Sequence, residues 1–215
     1  MGIDSMTGAE LRELAQMYAF LGNSLLRPMN QTKGPGLDPE FWAALPDFDN
    51  EAVGFALDDL CDFAAVSQAR QAAGTDMATE VSYEYTKLFV GPPSPAAAPW
   101  ETYYPAMAEG VEVSEPTSGF GEPTFRMRAL LREAGLELAN ENHQFEDHIG
   151  IELLYLSTII ARGAAGEESA LGQATSFIVA HPAKWIDRLA GKVESAFPQG
   201  YFIGLLRLAK ALMGL

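Results

Sequence analysis

Asp147–Arg162 reads DHIGIELLYLSTIIAR. Ile149, Leu153, Leu156 and Ile160 recur at helical spacing, and Ile151, Leu154, Tyr155 and Ile159 fill the faces between them. A helix apolar nearly all round is a central, buried one. Glu152 is the one charge inside it, and a buried carboxylate needs a partner; Arg126 or Arg128 is expected to supply it. Glu146, Asp147 and His148 open the helix. Acids there complement the macrodipole and satisfy orphan amides, so either Glu146 or Asp147 fits as the cap.

Helical patterns extend outward in both directions. Downstream they run over Glu167–Val179, Ala183–Phe197 and from Tyr201 to Leu212, punctuated by His181-Pro182 and Pro198-Gln199-Gly200. Upstream, Thr7-Gly8-Ala9-Glu10 is a capping box opening a helix to about Arg27. Pro28 to Gly36 reads as a loop. Asp38-Pro39 caps a short helix containing Phe41 and Trp42, and Asp49 or Asn50 caps a long one. Asp76 caps the next, through Met77, Val81, Tyr85 and Leu88. Pro123 opens another through Phe125, Met127, Leu130 and Leu131, which Gly135 stops. Glu109–Glu122 reads as an irregular loop. With no alternating strand pattern and no fixed-period repeat, the expected fold is all-α: a compact single-domain bundle of about eight to ten helices spanning residues 1–215.

Composition narrows the function classes. Fourteen basic against twenty-nine acidic residues give a net charge of −15, which argues against nucleic-acid binding, a process that depends on neutralising phosphates. No apolar run is long enough to span a bilayer. The N-terminus lacks a basic leader and an apolar core, so no secretory signal is expected. The single cysteine, Cys61, excludes an internal disulfide framework and fits a reducing compartment. No nucleophile–base–orienter set, P-loop or Gly-x-Gly-x-x-Gly pattern is present, and Gly119-Phe120-Gly121 is too short to hold a phosphate. His148 and Glu152 stand at i, i+4, but two ligands on one helix are not a metal site, and His143 is poorly spaced to complete it. Neither a metal nor a cofactor is expected.

A second stretch stands out, YTKLFVGPPSPAAAPW at Tyr85–Trp100. Tyr85, Leu88 and Phe89 form a helix end, four prolines stiffen the segment beyond Gly91, and Trp100 closes it. Proline lowers the entropy cost of ordering a loop, and tryptophan offers a large apolar face with one N–H donor. Such a segment serves either as a core plug or as one wall of a groove for a short apolar peptide.

Together these stretches resemble the TorD/DmsD family of cytoplasmic chaperones, which mature molybdenum-containing redox enzymes. The matching residues are Tyr85-x-x-Leu88-Phe89, Gly91-Pro92, Pro99-Trp100-Glu101, Asp147-His148-Ile149-Gly150 and Glu152-Leu153. The family's Pro-Asp is Phe145-Glu146 here, and its His-Leu-x-Pro-Trp is His181-Pro182-Ala183-Lys184-Trp185. The resemblance implies a cytoplasmic binder, not an enzyme. Its partners would be the twin-arginine signal peptide and the apo-form of a molybdopterin oxidoreductase. It further implies that Tyr85, Leu88, Phe89, Pro99 and Trp100 form an apolar groove. Glu101, Glu146 and Asp147 would then attract the arginines, and His148 would fix the loop or bind the peptide backbone. On this basis Trp100→Ala or Asp147→Ala weakens peptide binding with little loss of helicity. Glu109–Glu122 and Gly163–Gly166 are candidate hinges for a domain-swapped dimer, the alternative to a monomer. The competing functions are a nitrate-reductase delta-type chaperone for a non-exported molybdoenzyme and, further off, a helical metal-dependent hydrolase using His148 and Glu152.

Overall fold

A computed structural model of the chain describes residues 2–32, 34–104, 120–138 and 144–215. Among these, ten α-helices and no strand are found: α1 (Gly8–Leu26), α2 (Met29–Thr32), α3 (Pro39–Ala43), α4 (Glu51–Ala72), α5 (Met77–Tyr85), α6 (Glu122–Glu133), α7 (Ile149–Ala164), α8 (Glu168–Ala180), α9 (Ile186–Ala196) and α10 (Tyr201–Met213). The all-helical expectation holds. Most helix starts also fall where their chemistry placed them. Thr7 and Glu10 form the reciprocal capping box. Asp38, Asn50 and Asp76 each accept from a first-turn amide. The stretch read as a loop after Pro28 contains α2. Most of the Glu109–Glu122 loop lies outside the described residues.

Helix α7 is the axis of the bundle. Ile149, Leu153, Leu156 and Ile160 are fully buried, and α7 packs most extensively against α1 and then α8. The crossing with α1 is close enough to exclude side chains. A Cβ on Gly150 would sit 2.7 Å from the Gly22 carbonyl oxygen and 2.6 Å from Leu26 Cγ. A Cβ on Gly22 would lie 2.7 Å from the Gly150 carbonyl oxygen. The candidate hinge Gly163–Gly166 lies at a hydrogen-bonded helix end. Ala165 N–H donates to the Ala161 carbonyl and Glu167 N–H to that of Arg162, while Gly166 takes φ +97°.

Across the bundle, Tyr85, Phe89, Tyr201 and Phe202 stack in tilted and edge-on pairs with ring centroids 5.3–5.7 Å apart. Buried among them, Glu84 accepts from Tyr201 N–H and Phe202 N–H, each at 3.1 Å, and so caps α10 from another helix. Burial pushes its carboxyl up to about 7, against the pull of those two amides. Because the folded-state value exceeds the unfolded one, this group's contribution to stability is complete below the unfolded carboxylate range. It is lost as pH rises through about 7. The expected swing is about 3 kcal/mol. Thermal melts of wild type and Glu84→Gln between pH 5 and 8 should therefore converge or cross as the wild-type carboxyl ionises. Parallel melting curves would show that the two amides fully offset the cost of burial.

Candidate peptide-binding surface

The two diagnostic stretches lie side by side. Helix α5 ends in a wider π-type turn over Thr86–Val90, closed by Gly91 N–H donating to the Thr86 carbonyl at 2.8 Å. The next carbonyls, of Lys87 and Leu88, would look to residues 92 and 93 for donors. Both are prolines and have no N–H. Ala96 and Ala97 donate instead, at 3.2 and 2.8 Å, which folds the proline loop back on the helix end. The far end of the loop is fastened to α7. Trp100 and His148 form an isolated antiparallel bridge. Beside it, Glu101 N–H donates to the Asp147 carbonyl and Ile149 N–H to the Pro99 carbonyl, both at 2.9 Å.

The polar residues of this corner serve the fold. His148, rather than Glu146 or Asp147, is the N-cap of α7, its Nδ1 accepting from Gly150 N–H at 3.0 Å. Burial lowers its pKa to about 3, so the ring is neutral at physiological pH. Asp147 is completely buried and accepts from Thr102 N–H (2.9 Å), Thr102 Oγ1 (2.6 Å) and Thr124 Oγ1 (3.0 Å). Burial raises its pKa, and the hydrogen bonds from the threonines oppose that rise. Glu101 is also buried and pairs with His181 Nδ1 at 2.8 Å. Glu146 makes a two-pronged pair with Arg128, at 2.6 and 3.1 Å. Burial raises the Glu146 pKa, but Arg128, a backbone hydrogen bond and the charge of Arg132 together more than offset that and hold it below the usual carboxylate value.

An open acidic rim of Glu101, Glu146 and Asp147 is therefore not what this fold presents. Two of the three are buried and the third already holds an arginine. Likewise Tyr85, Leu88, Phe89 and Pro99 are core residues, with the Tyr85 hydroxyl donating to the Leu26 carbonyl at 2.9 Å. Glu152 pairs with neither expected arginine. Its Oε2 accepts from Trp185 Nε1 at 3.3 Å, while Arg126 turns to Glu122 and Arg128 to Glu146.

What remains exposed around Trp100 is aromatic. Its partly exposed ring lies 5.8 Å from Tyr103, 5.9 Å from His148 and 6.4 Å from Phe145. Phe145 continues to Phe120 at 5.6 Å, and Phe120 to Phe125 at 4.8 Å. Phe145, Phe120 and Phe125 are 37, 43 and 53% exposed. The Arg128 guanidinium lies 5.8 Å from both the Phe120 and Phe125 ring centres. Beside Phe145 opens a cleft of about 620 Å³ lined also by Arg128, Leu131, Leu136, Leu138 and Glu146, and a different cleft of about 780 Å³ is lined by residues of α6, α7 and α8. Phe125 lies two residues from the buried Met127 and so cannot share that residue's face. Trp100 Nε1 and His148 Nε2 are buried without hydrogen-bond partners among the described residues.

The sequence profile of the family described as nitrate reductase delta subunit matches residues 47–191, a span that contains both stretches and the shelf. The chain belongs to that family. This is the delta-type assignment that stood as the competitor to TorD/DmsD. A candidate redox enzyme maturation protein from Archaeoglobus fulgidus, known from its crystal structure, is 18% identical to this delta-family chain. That match covers 94% of this chain and 91% of the other at a TM-score of 0.45. No curated protein matches the chain at a significant level. Among the described residues of this delta-family protein, no helix is long and apolar enough to cross a membrane.

Proposed function

We propose that this delta-family chain is a cytoplasmic maturation chaperone for a molybdenum-containing redox enzyme and that it holds an apolar segment of its client on the Trp100–Phe145–Phe120–Phe125 shelf. The observation that carries this is the shelf itself: three phenylalanines more than a third exposed, continuous with a tryptophan whose backbone is pinned on both sides. Exposed aromatic groups gathered in one place mark interaction sites, and tryptophan is enriched among residues that dominate binding energy. A peptide carbonyl reaching the corner between Trp100 and His148 offers the missing acceptor, since Trp100 Nε1–H and, with Nδ1 accepting in a neutral ring, His148 Nε2–H are both donors.

Two kinds of client fit this surface. A twin-arginine leader would place its apolar helix on the shelf and its arginines on Glu146, displacing Arg128. A delta-type client without such a leader needs only the apolar contact. The buried state of Glu101 and Asp147 favours the second, since Glu146 alone is within reach of solvent.

Isothermal titration distinguishes them. Leader peptides, each beside an Arg-Arg→Lys-Lys control, are compared with apolar segments from the mature client. Trp100→Ala is expected to weaken the productive peptide by about thirtyfold, the effect of losing an aromatic anchor. Phe145→Ser is expected to weaken it while leaving the melting temperature unchanged. Loss of affinity in the Lys-Lys control, together with weaker binding at high salt, supports the leader. Salt-independent binding equal for both peptides supports the delta-type client. Full affinity in both Trp100→Ala and Phe145→Ser refutes the shelf.

A further inference from the structure

Away from the shelf, three chemically reactive side chains meet inside the protein. Glu101 comes from the short 3₁₀ helix Glu101–Tyr103, Glu152 from the first turn of α7, and His181 from the end of α8. One carboxylate oxygen of each glutamate and one ring nitrogen of His181 lie within 4.8 Å of one another. All three residues are buried, with Glu152 completely so.

The cluster gathers ligating atoms in the interior and leaves one carboxylate oxygen without a donor. Burial raises the Glu152 pKa well above the usual value, and the charges of Glu101 and then Asp147 raise it further. Two carboxylates this close in a low-dielectric interior do not both ionise unless a positive charge joins them. Glu101 is held by His181 Nδ1 at 2.8 Å. For Glu152, Trp185 Nε1 donates to Oε2, while Oε1 is buried and has no hydrogen-bond partner among the described residues. A completely buried carboxylate oxygen with no donor is costly, and here it belongs to a cluster of metal-ligating types.

We propose that Glu101, Glu152 and His181 form a binding site for one divalent first-row transition ion, zinc or manganese. Two carboxylates and one imidazole are a donor set suited to both, with no thiolate to narrow the choice. A divalent ion neutralises the two carboxylates together and gives Oε1 the partner it lacks. Ligand atoms about 2.0–2.2 Å from an ion stand roughly 3–3.5 Å apart, so the cluster closes on an ion by small side-chain rotations. Trp185 is a positioning residue: its Nε1 holds Oε2 of Glu152, as outer hydrogen bonds hold metal ligands generally. His181 also lines the cleft of about 780 Å³ beside α8, which gives an ion a route from solvent.

The test uses the full chain, stripped with chelator, incubated with zinc chloride or manganese chloride and desalted. The expected result is one ion retained per chain and a higher melting temperature. Glu152→Gln keeps the side-chain volume and an acceptor for Trp185, and is expected to bind zinc at least about tenfold more weakly. X-ray absorption on zinc-loaded wild type needs no variant and should show an oxygen and nitrogen shell containing one imidazole. No retained ion, equal zinc affinity in Glu152→Gln, or a shell without imidazole would each overturn the site. The last would mark adventitious binding to the acidic surface of a chain with net charge −15.

Discussion

Asp147→Ala is expected to lower the melting temperature by roughly 10 °C, because it strips acceptors from three donors at once. Thr102 contributes its backbone N–H and hydroxyl, and Thr124 its hydroxyl. Thr124 Oγ1 in turn accepts from Gly121 N–H at 3.2 Å, so the carboxylate ties α7 to the start of α6 and to the turn after Trp100. An unsatisfied buried donor costs about 1–3 kcal/mol, and water can reach only some of those freed, giving about 3 kcal/mol in all. Asp147→Asn keeps one carbonyl acceptor and should lose less than half as much. Circular dichroism melts of the three proteins provide the check. An alanine variant that melts with wild type while losing peptide affinity would restore the contact role assigned to Asp147 from its sequence motif.

The second large effect is expected at the α1–α7 crossing. Gly150→Val places its Cβ against the Gly22 carbonyl oxygen and Leu26 Cγ, at 2.7 and 2.6 Å before any shift. Backbone oxygen cannot rotate away as a flexible side chain can, so the two central helices must separate. Overpacking of this kind costs about 1–3 kcal/mol, and a valine at this position should reach the upper end. Gly22→Ala separates the same pair, its Cβ meeting the Gly150 carbonyl oxygen at 2.7 Å. The two changes relieve a common obstacle, and the double variant should therefore be less destabilised than the sum of the singles. Denaturant melts of all four proteins would measure the coupling. Strict additivity would show that each helix adjusts locally without the pair moving apart.

Both effects rest on features with unequal traces in the sequence. The all-round apolar pattern from Ile149 to Ile160 marked α7 as central, and Thr7, Asp38 and Asp76 marked helix starts through local hydrogen bonding. Between Glu146 and His148, three consecutive side chains had capping chemistry. The choice among them depended on where the chain crosses Pro99–Glu101, and no local pattern holds that information. Tyr85, Leu88 and Phe89 share one helix face, which fits a groove wall and a core equally; Phe202, more than a hundred residues away, makes it a core. Glu152 was legible as a buried acid in need of a partner, but nearby arginines were the wrong place to look. Its surroundings come from Glu101, His181 and Trp185, which tertiary folding alone brings near. The aromatic shelf was least visible, because Phe120, Phe125 and Phe145 belong to three different local patterns.

The proline loop has a kinetic consequence. Its start is fastened through Ala96 and Ala97 to the carbonyls of α5's final turn, and its end through the Trp100–His148 bridge. On the proposed reading a client would meet Trp100 already in position, and little of the encounter would be spent waiting for the receptor to find its shape. Association with different clients should proceed at similar rates, leaving residence time to carry the discrimination among them.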